Sequence, residues 1–135
     1  MVSTKRMRTS LIASMVIVLG LLACVWATTE ISIQIQVSPN VLNLLNKGEV
    51  VTVHTDIAYS SVAGLTVSLN DVEINYWKAD NRGNFVAKFV MEEIKGLSLN
   101  IGKPNTLTLK GETDDGEEFV GSTEILVVNN VPNKK

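Results

Sequence analysis

One cysteine, one histidine and three prolines are all that 135 residues contain of those types, and aromatics make up only 5%. The cysteine, Cys24, lies in an apolar N-terminal run. Everything after it must therefore fold without a disulfide, a zinc–thiolate site or a thiol nucleophile. A single histidine, His54, offers neither a second imidazole for a metal nor a Ser-His-Asp motif on a nucleophile elbow. Basic residues are scarce too. After residue 27, nine Lys/Arg stand against 14 Asp/Glu, a net charge near −5 with no basic patch for a nucleic-acid backbone. The length excludes the large α/β enzyme folds, and 45% apolar content excludes a disordered or collagen-like chain.

The first 27 residues have no acid at all. Lys5, Arg6 and Arg8 precede LIASMVIVLGLL, the twelve uncharged residues Leu11 to Leu22, and Val25-Trp26-Ala27 then ends in a small side chain before Thr28. A basic start, an apolar middle and a small-residue exit are the three parts of a secretory signal peptide. The expectation is a hydrophobic signal helix over 1–27, cleaved after Ala27, and hence an exported protein: extracellular, on the cell surface or periplasmic. Two other outcomes stay open. Leu21-Leu22-Ala23-Cys24 resembles a bacterial lipobox, whose cysteine is acylated, which makes Cys24 the candidate lipidation site. Leu11 to Ala27 is also 17 residues, the lower limit for an uncleaved membrane anchor.

From Thr28 the dominant period is two. Ile31, Ile33, Ile35 and Val37 alternate with polar neighbours, as do Val51, Val53 and Ile57, then Leu65, Val67 and Leu69, then Val72, Ile74 and Tyr76. Phe85, Ala87 and Phe89, then Leu107 and Leu109, and finally Phe119, Gly121, Ile125 and Val127 repeat the pattern. A helix cannot keep such a pattern on one face, so these are half-buried strands. Pro39-Asn40, Lys47-Gly48, Asn70-Asp71, Ala79 to Asn84 and Asp115-Gly116 are the turns between them. Only Met91 to Lys95 breaks the alternation, as a short helical turn or crossover. About seven strands with turns roughly every 8–12 residues predict an antiparallel β-sandwich of immunoglobulin-like type over 28–128, with a small closed barrel as competitor and a flexible tail at 129–135.

The segment Ile35-x-Val37-Ser38-Pro39-Asn40-x-Leu42-Asn43-Leu44, followed by Lys47-Gly48-x-Val50-x-Thr52-Val53, resembles the opening of a secreted immunoglobulin-like module of bacteria and archaea. Its close is matched by Leu107-Thr108-Leu109-x-Gly111, Asp115-Gly116-x-x-Phe119-x-Gly121-Ser122 and Ile125-x-Val127, and its middle strand by Phe85 to Phe89. The likeness covers most of Ile31 to Val128 and departs at Tyr59 to Gly64, which is short and uncharged where the module carries a longer acidic stretch. The resemblance implies an accessory β-sandwich of surface or exported proteins, without an activity of its own.

Candidate chemistry is sparse. His54 falls on the polar side of its strand, and the doublets Glu92-Glu93, Asp114-Asp115 and Glu117-Glu118 sit in or beside turns, where neighbouring side chains diverge. Asp80-Asn81-x-Gly83-Asn84 has oxygen donors for Ca²⁺ but lacks the spaced carboxylates of an EF-hand loop. No catalytic, metal or cofactor site is therefore expected, and no enzyme. Tyr76 and Trp77 are the candidate ligand contacts: with Tyr76 inward, Trp77 faces outward or sits at the rim as a platform for a sugar or a protein, and with the register flipped it is a core tryptophan. Glu30 to Ser38 is strand A of its own sandwich or a strand donated to a neighbour, which would build an extracellular fibre by self-association. The expectation is a non-enzymatic binding or structural module with a protein or surface-polymer partner, no nucleic-acid partner, and membrane contact only through the leader or a lipid.

Overall fold

Period-two alternation becomes strand at each expected position, but the strands are cut wherever the chain crosses between two sheets. A computed structural model describes residues 29–130. The leader, Cys24 and its cleavage positions, and the tail beyond Asn130 lie outside the described residues. Ten strands occur in order: β1 (Ile31–Ser32), β2 (Ile35–Ser38), β3 (Val41–Asn43), β4 (Val50–Ala58), β5 (Val62–Leu69), β6 (Val72–Glu73), β7 (Tyr76–Ala79), β8 (Asn84–Val90), β9 (Pro104–Thr113) and β10 (Glu118–Val128). A 3-10 turn, Tyr59–Ser61, joins β4 to β5, and a short helix, α1 (Met91–Lys95), follows β8.

The strands form an all-β sandwich, mostly antiparallel. One sheet runs β1-β10-β9-β5-β6, with β3 also on β10, and the other runs β2-β4-β8-β7. Two features raise the count above the seven expected. The first alternating run divides because β1 pairs parallel with β10, β2 steps to the other sheet to pair with β4, and β3 returns to β10. The fourth run divides because β6 lies on β5 while β7 lies on β8. In the crossing, Ile74 N–H still donates to Val67 O at 3.2 Å while Asn75 N–H already donates to Lys88 O at 2.8 Å. Each lateral opening of the sandwich is thus bridged by a segment that serves both sheets.

Turn chemistry follows the sequence. Asn70 and Asp71 take positive φ (46° and 70°) in the two-residue link between β5 and β6, and Gly116 (φ 86°) closes the β9–β10 hairpin. Inward positions fill one core. All three phenylalanines of the chain are in it, Phe85, Phe89 and Phe119, among Val51, Val53, Leu69, Leu107 and Leu109. Each such side chain stabilises the fold by about 1.5–3 kcal/mol. α1 buries Met91 and Ile94 at one pole. Near that pole Asn105 is buried but satisfied: its Oδ1 accepts the Asn100 N–H at 2.7 Å, and its Nδ2 donates to the carbonyls of Asn100 and Lys103.

The chain enters and leaves at opposite poles. β1 lies beside the start of β10 (Ile31 opposite Phe119) and β3 beside its end (Asn43 opposite Val128), a separation of about 30 Å along the strand. Asn43 ties the exit, accepting the Asn130 N–H at 3.2 Å and donating to the Asn130 carbonyl at 2.9 Å.

Candidate functional site

β7 is an edge strand, bonded only to β8, with Trp77 opposite Ala87. Ala87 is a core residue, so Trp77 also points inward, where it is half-buried against the core cluster. Tyr76 points outward and is 47% exposed. The reading of Val72, Ile74 and Tyr76 as one inward face is corrected here: the change of sheet between Glu73 and Tyr76 resets the alternation. The two candidate ligand contacts therefore lie on opposite sides of their sheet, and only Tyr76 presents a broad aromatic surface to solvent. Lys78, one residue on, places a charge on this open edge, a common guard against strand addition.

Two of the acidic doublets, Asp114-Asp115 and Glu117-Glu118, share one hairpin, and Glu92-Glu93 lies apart on α1. Glu92 pairs with Lys95 on α1 at 3.4 Å, the one ion pair among the described residues. Glu118 stands directly across from Glu112 on the outer face of the first sheet, with Asp114, Asp115 and Glu117 in the hairpin beside them. Among the described residues, no group of three or more His, Cys, Asp or Glu side chains is arranged to hold a metal ion.

Polar side chains do converge on the outer face of the second sheet. The register places Gln36 across from His54, His54 across from Val86, and Val86 across from Lys78. Val86 is only 1% exposed although its neighbours Phe85 and Ala87 take the core positions, so this face has an apolar floor beneath polar groups. The loop after β7 folds back beside that row. Asp80 fixes it: its Oδ1 accepts the N–H of Arg82 at 2.8 Å and of Asn84 at 2.9 Å, and Gly83 (φ 83°) completes the turn. The Asn84 N–H first, then the Arg82 N–H and guanidinium and finally His54, hold the Asp80 carboxyl below the ordinary aspartate range; partial burial opposes them. Asp56, two residues beyond His54, accepts the Gln34 N–H through Oδ1 at 3.0 Å.

Together Gln34, Gln36, His54, Asp56, Asp80, Arg82 and Asn84 line an open depression of about 550 Å³. In the sequence His54 and the Asp80 loop stand as separate features. The alternation of Thr52, His54 and Asp56 signalled a polar face, but what joins it to Asp80 is the β4–β8 register, which periodicity does not encode. This arrangement has two fixed carboxylates beside side-chain amides, and no nucleophile hydrogen-bonded to the imidazole among the described residues. No family model matches the chain, and neither a curated protein nor a solved structure matches it.

Proposed function

We propose that the chain is an exported, non-enzymatic β-sandwich module of immunoglobulin-like type, with a binding or structural role at a cell surface or in a periplasm. The observation that carries this reading is the in-line geometry of the described residues. The chain enters at one pole and leaves at the other, about 30 Å away along β10. Both lateral openings are bridged by the chain's own segments. A unit built this way holds its two ends at a fixed spacing. The leader pattern of 1–27 supports export, with cleavage after Ala27 or acylation at Cys24 distinguished by the intact mass of the exported product.

A second reading, a fibre subunit assembled through Glu30 to Ser38, meets a competing use of that segment. Ile33 and Val37 are buried in the chain's own core, at 8% and 6% exposure. Light scattering on the exported chain, with and without residues 28–38, separates the two. A monomer that collapses when the segment is removed supports the self-contained module. Concentration-dependent ladders that vanish on deletion, with a soluble fold remaining, make the chain a fibre subunit and overturn the first reading.

A further inference from the structure

We propose that the outer face of the second sheet, around His54 and Asp80, binds a neutral saccharide, in place of the Tyr76–Trp77 pair. The proposal rests on the reading of the chain as a binding module and names the ligand class. Three observations lead to it. The depression is about 550 Å³, inside the roughly 300–1,000 Å³ range of small-molecule sites. Its walls are mostly planar polar groups, with Ile35 as the one aliphatic residue of the lining. They present acceptors and donors side by side, as a ring of vicinal hydroxyls requires. Trp77 has its ring turned into the sandwich, and Tyr76, the exposed aromatic of this sheet, is not among the residues that line the depression.

The groups are also held in advance. The Asp80 carboxylate is anchored through Oδ1 by two backbone N–H groups, and neither of these bonds uses Oδ2. Asp56 is anchored in the same way, through Oδ1, by the Gln34 N–H. The loop that carries Arg82 is closed by Asp80 N–H to Asn84 O at 2.9 Å and tied to the 3-10 turn by Tyr59 N–H to Gly83 O at 2.8 Å. The two carboxylates and the loop backbone therefore need little further ordering, which lowers the cost of hydrogen-bonding a sugar.

Charge selects the class. Two carboxylates, Asp56 and Asp80, face one guanidinium, Arg82, and one exposed imidazole, His54. Lys78 and Lys88 stand on neighbouring outward positions of the same sheet, and the Lys88 ammonium is engaged with Thr52 Oγ1 at 2.9 Å. The depression itself has no net positive field to hold a phosphate or a polyuronate, whereas uncharged hydroxyls can use both signs at once. Ile35, which also lines the depression, offers an apolar patch for the C–H face of a ring.

The test is an amide NMR titration of the exported chain with maltotriose, cellotriose, chitotriose and trigalacturonate. The expected result is saturable shifts with at least one neutral trimer, centred on Gln36, His54, Asp56 and Arg82. Arg82→Ala and Gln36→Ala then weaken that binding about tenfold, and Tyr76→Ala changes it less than about twofold. Unchanged thermal unfolding of each variant shows that the fold is retained. Response to trigalacturonate alone, shifts centred on Tyr76 and Trp77, binding untouched by Arg82→Ala, or no saturable shift with any neutral trimer each overturn the proposal. None of these results changes the light-scattering outcome, so the module reading stands or falls separately.

Discussion

The indole of Trp77 lies so close to Gly64 that a Cβ on the glycine would stand 2.2 Å from Trp77 Cε2. Trp77 belongs to the sheet of β8 and Gly64 to β5 of the facing sheet, so one side chain ties the two layers near their edges. β5 has a matching distortion. Between the pairs Ala63–Glu112 and Ser68–Lys110, four residues, Gly64 to Val67, lie opposite Gly111 alone. Thr66 repairs the gap, its Oγ1 accepting the Glu112 N–H at 2.8 Å and donating to the Ala63 carbonyl at 2.7 Å, while Leu65 is pushed out to 87% exposure. A bulge that re-aims side chains and makes room is what an intruding indole needs.

Trp77→Ala is therefore expected to cost about 2–4 kcal/mol of stability, below the full range for a buried tryptophan because the side chain is only partly buried. Gly64→Ala is expected to cost about 1–3 kcal/mol by overpacking against the indole. Trp77→Phe in the Gly64→Ala background should recover part of that loss, since neighbours sharing one space are not additive. Urea unfolding measures all of these. A Trp77→Ala variant within about 0.5 kcal/mol of the parent would mean that the indole does not join the layers.

The alternating strands, the Asp115-Gly116 hairpin and the break in alternation at Met91 to Lys95, with a helical turn as one of its two readings, were legible in the sequence because each is a local signal. The direction of Tyr76 was not. Alternation from Val72 holds only while the chain stays in one sheet, and the crossing at Ile74 and Asn75 contains no glycine or proline to announce it. Val86 reads as an outward position and is outward, yet it is buried, because its cross-strand neighbours are the long side chains of His54 and Lys78. The polar depression was illegible for the same reason. His54 and Asp80 are brought together by strand register, which the hydrophobic pattern restricts to one face but does not extend to choosing neighbours along it.

Asp80 gives the candidate face a pH signature. Its folded carboxyl pKa is lowered chiefly by the Asn84 N–H, with the Arg82 N–H, the Arg82 guanidinium and His54 adding to it. A group whose folded pKa lies below its unfolded one contributes stability that is complete above the unfolded pKa and is lost as pH falls through the folded pKa. The loop of Asp80 to Asn84 is thus expected to loosen only in acid, below the ordinary aspartate range. Asp80→Asn should flatten that part of the stability curve. A carbon-detected NMR titration of the Asp80 carboxyl checks this directly, and a midpoint at or above the ordinary aspartate value would show that the two N–H bonds are absent in solution.

Gly121 decides how the N-terminal segment is seated, and so bears on the choice between a self-contained module and a fibre. A Cβ there would stand 2.8 Å from the Ile33 carbonyl oxygen and 2.8 Å from Ile35 Cγ2. A backbone oxygen cannot move aside as a side-chain tip can, so Gly121→Ala must lift the segment from β10. The backbone of the segment meets β10 through the two-residue pairing of β1 and Ile33 N–H to Val120 O at 2.9 Å, beside the packing of Ile33 into the core. Native-state hydrogen exchange is expected to speed up at Ile33 by about tenfold or more in the variant, while Phe89 and Leu109, in the centres of β8 and β9, keep the parent's rates. Equal acceleration at all three would mean that the segment is inseparable from the global fold and that strand exchange has no partly open state to start from. Selective release at Ile33 with the chain still monomeric would show a slot that prefers its own strand even when loosened. Selective release with ladders in light scattering would show that the slot accepts a neighbour's strand, as a fibre subunit requires.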